Sequence, residues 1–319
     1  MCGRSPVRER ARVFQYIVRR FVAAVPTLIL ITILAFSMLH LVPGDPAEIF
    51  LGENKSSPEL LAQVRADMGL DRPLHIQYLD FLGDVLRGDL GTSLNNGRSV
   101  TREIGTRLPS TVELTLAALA IAIVTGVGLG VVSAVRHNTW VDSLAMLVAL
   151  LGVSMPVFWS SLLLIFLFSV KLQWFPAIGQ GGIERLVLPA VALGLLSSAT
   201  LARLVRSSML DVLSQDYVRT AVAKGIRPRG VTYRHALRNA LIPAITVIGI
   251  QFGQLLSGTV ITETIFARIG IGRYYVDSLL NKDFPVVQAL TLLIACAYVV
   301  INLLVDLSYS LLDPRIRYD

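Results

Sequence analysis

Long apolar runs separated by polar segments make up most of the chain. Each run holds about 20 residues, the length that a helix needs to cross roughly 30 Å of hydrocarbon. The pattern predicts six membrane-spanning helices, at residues 21–41, 114–135, 144–170, 188–204, 242–265 and 287–312. Arg203 and Arg206 make the end of the fourth run polar, and Pro156 lies inside the third, where a proline tends to kink a helix.

Composition agrees with a lipid surrounding. Hydrophobic residues form 54% of the 319 residues and charged residues 16%, and the mean hydropathy is +0.64. An average soluble domain holds about 25% charged residues, so the net charge of +7 does not indicate a soluble protein that binds nucleic acid. The first run has 21 residues, more than the roughly 7–15 of a cleavable signal peptide, and is predicted to remain as an anchor.

Basic residues predict the orientation, because Lys and Arg of short loops stay on the cytoplasmic side. The segment before the first span holds six of them, and the segment 203–238 holds eight. The short loops 171–185 and 267–285 hold two and three. Both termini are therefore predicted to lie inside.

The predicted fold class is an all-α integral membrane protein with six transmembrane helices. Its segments are a cytoplasmic N-terminal segment (1–20), the first span (21–41), a small extracytoplasmic domain (42–108), a five-helix core (109–312) and a cytoplasmic tail (313–319). A cytoplasmic loop at 208–241 joins the fourth and fifth spans. Within the outer domain, the pattern predicts helices at 58–68 and 75–85 and a turn at 88–93.

Glycine pairs four residues apart occur in two spans. Gly126 and Gly130 lie in the second span, and Gly249 and Gly253 lie in the fifth. Small residues at this spacing let helix backbones approach closely in a membrane, so their predicted role is packing.

The polar loop between the fourth and fifth spans reads as a helical hairpin. Asp216 is a candidate N-cap for a first helix at 217–224, Gly225 ends it, and a second helix is predicted from about 229 to 241. Small residues, above all alanine, are expected along its contact surface with a soluble partner, and its arginines would pair with acidic residues of that partner. The alternative is an amphipathic hairpin that lies on anionic lipid.

Several short motifs resemble the integral-membrane permease subunits of ABC-type importers, in particular the dipeptide, oligopeptide and nickel permease family. They are PGDP (43–46), GLDRP (69–73), GDLGTS (88–93), WFP (174–176), DFPVVQ (283–288) and LLDPRIR (311–317). The loop resembles the EAA loop of these subunits in its peptide-permease form. Its first triplet is Arg219, Thr220 and Ala221 in place of Glu-Ala-Ala, and His235 to Arg238 stand where Ile-x-Leu-Pro falls in the general motif.

The resemblance implies a permease most like the first, B-type subunit of a peptide importer in a bacterial inner membrane. Its implied partners are a second permease subunit in a heterodimer, two ATP-binding subunits, an extracytoplasmic binding protein and the bilayer. The chain itself is not an enzyme, and ATP and Mg belong to the partner subunits, since no lysine lies in a GxxxxGK[ST] phosphate loop. The implied coupling residues are Asp216, Tyr217, Arg219, Ala221, Lys224, Gly225, Arg234, His235, Leu237, Arg238 and Asn239.

The candidate residues for a translocation path lie in the fifth span. Glu263 is a charge towards the end of the span, where an ionisable group costs little; it is predicted to line the outer mouth, with an interface anchor as the alternative. Gln251 and Gln254 precede it. The implied cargo is a dipeptide or oligopeptide, with nickel, glutathione or another small solute as alternatives.

Two other classes of protein remain as rivals. An ion-coupled secondary transporter would carry carboxylates at the span centres, and these centres are nearly free of acids. A membrane hydrolase would need a nucleophile with a base or a metal cluster. The four histidines are scattered and Cys2 and Cys296 fall in different segments, so no catalytic site, metal site or disulfide is predicted.

Overall fold

The computed structural model describes residues 6–41, 46–51, 58–67 and 69–312. The predicted tail 313–319, the first five residues of the N-terminal segment and parts of the 42–108 domain lie outside these ranges. So do most of the PGDP and LLDPRIR motifs and the side chain of Cys2. The described residues are helical apart from turns and loops, and their one ladder contact is an isolated antiparallel bridge between Thr92 and Ser99.

Fourteen α-helices are found in the described residues, and three of them adjoin two π-helical turns. They are α1 (Pro6–Leu41), α2 (Pro46–Leu51), α3 (Pro58–Asp67), α4 (Leu74–Arg87), α5 (Val100–Val135), α6 (Trp140–Ser154), α7 (Val157–Leu164), α8 (Glu184–Leu213), α9 (Asp216–Ala223), α10 (Pro228–Gly230), α11 (Leu237–Ala240), α12 (Ile242–Ile265), α13 (Ile271–Leu280) and α14 (Phe284–Leu312). The π-helical turns are Ile165–Lys171, after α7, and Val231–Ala236, between α10 and α11.

Among the described residues, five helices are long and apolar enough to cross a membrane. They are Arg19–His40 within α1, α5, α8, α12 and Phe284–Val305 within α14. The predicted spans at 21–41, 114–135, 188–204, 242–265 and 287–312 fall within α1, α5, α8, α12 and α14. The helices α1, α5 and α8 extend beyond the apolar runs, so the segment 6–20 before the first run is also helical.

The predicted third span is not one straight helix. It corresponds to α6 followed by α7 and its π-helical turn, and the two parts are bent by 107°. Pro156 explains the break, because a proline has no amide hydrogen and drives the preceding residue into an extended conformation. Met155 has φ −93° and ψ 127°, as this effect requires. The kink expected at Pro156 is confirmed, and the total is six spans only if the bent pair counts as one.

The described chain divides into two compact units. Unit 1 contains the residues up to Pro109 together with Arg273–Val300, and unit 2 contains Ser110–Gly272 and the residues from Ile301 onward.

Unit 1 joins α1, α4 and the beginning of α14. The hydroxyls of Thr32 and Tyr78 lie 2.8 Å apart, and the ring of Phe36 contacts those of Tyr78 and Phe81. After α4, Gly88 adopts the left-handed conformation at φ 80°, which ends the helix.

The GDLGTS and DFPVVQ motifs meet in unit 1. The Ser93 hydroxyl and the Leu94 amide both donate to the buried carboxylate of Asp283, the amide at 3.0 Å. The Asn95 and Asn96 amides in turn donate to the Ser93 hydroxyl. The turn at 88–93, expected from its glycines, is therefore fastened to the segment that precedes α14.

Unit 2 is organised around α8. A Cβ on Gly126 would lie 2.7 Å from the Ser198 carbonyl oxygen, and a Cβ on Gly130 would lie 2.7 Å from the Ala202 carbonyl oxygen. In the other direction, a Cβ on Gly194 would lie 2.6 Å from the Ala118 carbonyl oxygen. The helices α5 and α8 therefore touch backbone to backbone, which confirms the predicted packing role of Gly126 and Gly130.

We expect Gly130→Ala to lower the thermal unfolding midpoint of the purified protein. The added methyl group overlaps the α8 backbone, and such overpacking costs about 1–3 kcal/mol. The matched control is Gly128→Ala, because a Cβ on this exposed glycine of the same helix meets no atom within 4 Å. The measurement is a fluorescence-monitored melt in detergent, and equal midpoints for the two variants would contradict the close contact of α5 with α8.

Candidate functional site

The loop between α8 and α12 folds as two helical arms, both within unit 2. The first arm is α9, and it follows α8 after Ser214 and Gln215 alone. The second arm is the helical stretch 228–240, which consists of α10, a π-helical turn and α11. Leu241 then leads directly into α12. We call the segment 216–240 the coupling hairpin, and its two arms lie where the sequence predicts them.

The first arm ends at a glycine in the left-handed conformation, which few other residues adopt readily. Gly225 has φ +79°, its amide donates to the Val222 carbonyl at 2.9 Å, and the Ile226 amide donates to the Ala221 carbonyl at 3.3 Å. These two bonds form a Schellman motif, which caps the last carbonyls of a helix. At the other end, Gln215 occupies the N-cap position and Asp216 is the first helical residue, so Asp216 is not the N-cap that the sequence suggested.

Three of the four alanines of the coupling hairpin face the rest of the chain, and the fourth, Ala223, is exposed. Ala221 packs with Val218, Val231 and Ile226 between the two arms. Ala236 and Ala240 pack against α5 and α8, and their cluster includes Leu201 and Val205 of α8. The expectation of an alanine-lined surface for a partner therefore does not fit the three buried alanines, whose small side chains let the hairpin sit closely on its own chain.

The outward surface of the coupling hairpin is polar and basic. Of the predicted coupling residues, Ala221 is buried and His235 and Leu237 are partly buried, while the others are exposed. The exposed ones are Asp216, Tyr217, Arg219, Lys224, Gly225, Arg234, Arg238 and Asn239. One contact links the arms at this surface, where the Asn239 side chain donates to the Tyr217 hydroxyl at 2.8 Å.

The second arm contains the π-helical turn Val231–Ala236. A π-helical turn inserts one residue into the helical register, and such turns are frequent at functional sites. Here the turn keeps Val231 and Ala236 buried while Tyr233 and Arg234 remain exposed. The sequence pattern predicted a helix in this stretch but not its irregular register.

A partly buried ion pair ties the end of α5 to α6 and α8. The guanidinium of Arg206 makes two bonds of 2.8 Å to the two carboxylate oxygens of Asp142. The Ser133 hydroxyl and the Asn138 amide also donate to this carboxylate, and His137 Nδ1 lies 3.3 Å from it. The helices α5 and α8 and the turn after α5 therefore meet at the Asp142 side chain of α6, and Arg206 lies on the part of α8 that leads into the coupling hairpin.

The predicted path residue Glu263 is fully buried inside unit 2, with 0% exposure. Its carboxylate accepts a bond from the Thr111 hydroxyl at 2.6 Å and one from the Gly272 amide at 2.8 Å. A Cβ on Gly270 would lie 2.2 Å from this carboxylate. Glu263 thus holds the beginning of α13 against α5, and its position does not match that of a residue lining a path.

The other two predicted path residues lie on different faces of α12. Gln251 is 3% exposed, and its side-chain amide donates to the Ser197 carbonyl of α8 at 2.8 Å. Gln254 is exposed, on a stripe of α12 with Ile250, Ser257, Ile261 and Thr264. Only Gln254 among the three predicted residues is therefore open to contact outside this chain.

Sequence reasoning missed several residues that the structure makes important. Arg268 is 1% exposed and donates to the Glu113 carboxylate at 2.8 Å, and Asp142 and Ser133 complete the cluster around Arg206. The signal for Asp142 was an acid at the start of an apolar run, but its partner Arg206 is 64 residues away. Among the described residues, no group of three or more His, Cys, Asp or Glu side chains is placed to hold a metal ion.

The apolar helices and the polar hairpin between two of them define a multi-pass helical membrane protein. Residues 126–318 match the family of binding-protein-dependent transport system inner membrane components. Residues 13–115 match the N-terminal family of the same membrane components. The chain therefore belongs to the binding-protein-dependent transport system inner membrane components, which confirms the family that its motifs resemble.

Curated relatives match almost end to end. The dipeptide transport system permease protein DppB of Alkalihalophilus pseudofirmus is 44% identical over 95% of this chain and 99% of its own length. The di/tripeptide transport system permease protein DppB of Pseudomonas aeruginosa is 43% identical over 95% of this chain and 98% of its own length. The glutathione transport system permease protein GsiC of Pectobacterium atrosepticum is 44% identical, with the same 95% and 99% coverage as the first relative.

Solved structures also share the fold. One of them is a crystal structure of an amino acid ABC transporter with histidines, and it superposes with a TM-score of 0.51 at 15% identity. The match covers 66% of this chain and 94% of that chain. At this identity the likeness concerns the fold alone.

We expect Gly225→Ala to loosen the end of the first arm. An alanine in the left-handed conformation costs about 1–2 kcal/mol, and a Cβ here meets no atom within 4 Å, so the strain is purely conformational. Hydrogen exchange should become faster at the backbone amides of residues 225 and 226. The control is Gly225→Asn, since asparagine tolerates this conformation better. Equal protection in the alanine variant and the original protein would rule out the glycine requirement.

Proposed function

We propose that the chain is a permease subunit of an ATP-driven importer for short peptides in a bacterial inner membrane. The observation that carries this proposal is the 44% identity, over almost the whole length, to a dipeptide permease. Glutathione is the second candidate cargo, because a glutathione permease is equally identical. Glutathione is itself a small peptide, so both candidates share one chemical class.

The proposed topology places both termini and the coupling hairpin in the cytoplasm. The excess of basic residues in 203–238 supports this side for the hairpin. The proposed extracytoplasmic domain is 42–108, the proposed core is 109–312 and the proposed cytoplasmic tail is 313–319. An outer binding protein, a second permease subunit and two ATP-binding subunits complete the proposed importer, and the nucleotide and Mg²⁺ belong to the ATP-binding subunits.

We further propose that the exposed face of the coupling hairpin docks on an ATP-binding subunit. Arg219, Arg234 and Arg238 are available there for charge-assisted bonds to acidic groups, and Tyr217 supplies an aromatic contact of the kind that is enriched in interfaces. The alanines act differently. The buried alanines pack the hairpin against its own chain, so the whole hairpin moves with its docked surface.

The connections of the hairpin support a mechanical role. Two residues join the first arm to α8, and Leu241 alone joins the second arm to α12. With connections this short, a shift of the hairpin cannot be absorbed in slack chain and is passed to both spanning helices. ATP-driven approach of the partner subunits would thereby tilt α8 and α12.

The proposed contribution of this chain to the path is the exposed stripe of α12. Gln254, Ser257 and Thr264 are polar side chains on the surface of an apolar helix, where a lipid-facing stripe would be expected to be apolar. A second permease subunit would face this stripe and enclose a polar passage. Gln251 and Glu263 support α12 from its buried side.

We expect Arg234→Glu, Arg238→Glu and their combination to weaken co-purification with the ATP-binding subunits. Each charge reversal replaces an attraction to acidic groups of the ATP-binding subunit by a repulsion. The two together should lower the apparent affinity about tenfold. Uptake by reconstituted vesicles should fall in parallel. The matched control is Arg136→Glu, which changes an exposed arginine outside the hairpin. If the hairpin instead lay on lipid, the variants would lose binding to anionic vesicles while retaining the ATP-binding subunits.

The path is tested by cysteine accessibility in the assembled importer. In a chain carrying Cys2→Ser and Cys296→Ser, we expect Gln254→Cys to react with a membrane-impermeant maleimide at least about tenfold faster than Gln251→Cys. Burial of position 251 against α8 is the reason. A dipeptide in transit should slow the reaction at position 254. Similar rates at both positions would contradict the assignment of the path to the exposed stripe.

A further inference from the structure

Unit 1 contains a cleft that the coupling and path assignments do not use. It encloses about 240 Å³ and lies among the end of α1, the loop at 69–70, α4, the turn at 89–91 and the beginning of α14. Its described lining contains three aspartates and no lysine, arginine or histidine. The cleft is smaller than the roughly 300–1,000 Å³ of pockets for whole small ligands, so it suits one residue of a longer molecule.

Three carboxylates line the cleft, and two arginines just outside the lining offset part of their negative charge. Asp80 pairs with Arg72 at 2.9 Å, and Asp84 lies 3.9 Å from Arg87. These side chains are all more than half exposed, and exposed pairs contribute little to stability. Asp89 accepts a bond from the Gly91 amide. An incoming cation can therefore compete for the aspartates at little cost.

The second independent feature is a buried amide. Gln288 lines the cleft and is only 8% exposed. Among the residues that the structure describes, its side chain has no hydrogen-bond partner. The side-chain amide of Gln288 carries both a donor and an acceptor. It is therefore open to a ligand that offers an acceptor and a donor together, as a peptide group does.

The remaining wall of the cleft is apolar. Phe36 and Leu39 come from α1, Phe81 from α4 and Leu90 from the turn that follows α4. The rings of Phe36 and Phe81 contact each other, with centroids 5.9 Å apart. A hydrocarbon side chain of a ligand would be covered by this wall and would lose contact with water.

The carboxylates of the cleft are not arranged as a metal site. No group of three metal-ligating side chains is placed to hold an ion in the described part of the chain. An ammonium group needs no such cage, because it is satisfied by separate hydrogen bonds to carboxylates. The charge of the aspartates and the amide of Gln288 together favour a ligand whose amine is attached to a peptide group.

We propose that this cleft binds the amino-terminal residue of a short peptide. The carboxylates of Asp80, Asp84 and Asp89 attract the ammonium group, the Gln288 amide bonds the first peptide group, and the apolar wall covers the first side chain. The choice of a peptide as the ligand rests on the proposed function. On the proposed topology, α1 ends and α14 begins on the outer side, where a peptide arrives.

The test is titration calorimetry of the full-length chain in lipid nanodiscs, with L-alanyl-L-alanine as the probe. The dipeptide should bind, and its N-acetyl form, which lacks the ammonium group, should not. Asp84→Asn and Gln288→Leu should each weaken binding about tenfold, equivalent to about 1.4 kcal/mol. Glu59→Gln is the matched control, because it removes an exposed acid of the same unit outside the cleft. Asp84 is exposed, so its replacement should leave folding intact.

The proposal is overturned if the acetylated dipeptide binds as well as the free one, or if neither cleft variant affects binding. It is also overturned if the dipeptide fails to bind while Asp84→Asn weakens docking of the outer binding protein, since the cleft would then serve that protein. Failure of the proposed function is a separate result. In that case the assembled importer would not take up the dipeptide, while n-propylamine would still bind to the cleft in a manner that depends on Asp84.

Discussion

Close approach of helix backbones around α8 is the constraint on which unit 2 depends. In a bilayer the lipid tails are as apolar as the helix surfaces, so the hydrophobic effect does not drive two helices together. Packing contacts must supply the attraction. Glycines of α5 and of α8 itself remove the side chains that would separate the two helices. The ion pair of Arg206 with Asp142 adds a polar tie at one end of α8, and the bond from Gln251 to Ser197 adds one from α12.

The coupling hairpin follows from this arrangement. Because α8 is held on several sides, the short arm that continues it has a fixed starting direction. Alanines then allow the second arm to return along α5 and α8 without a gap. The outward face of the hairpin does not pack against the rest of the chain, and it carries charged and aromatic side chains. Local rigidity and an available surface are thus produced by opposite faces of the same two short helices.

The sequence predicted the helical elements well and the contacts between them poorly. Span 242–265 coincides with α12 residue for residue, because apolar composition and the proline near its beginning are local signals. Gly225 was recognised as a helix end for the same reason. The burial of Glu263, by contrast, depends on Thr111, which is 152 residues away, and the pairing of Asp142 with Arg206 spans 64 residues. Hydropathy alone also gave no measure of the 107° bend at Pro156, since a proline indicates a break but not its angle.

The bond between Ser93 and Asp283 has a consequence for how the chain is made. Unit 1 draws its residues from two distant parts of the sequence, and this contact joins groups 190 positions apart. At about 5–20 residues per second of synthesis, roughly 10–40 s pass between the emergence of the serine and that of its partner. During this interval the N-terminal part of unit 1 has left the ribosome without the helix that completes it. Final closure of this unit is therefore a late event, set by the pace of translation and not by the speed of local folding.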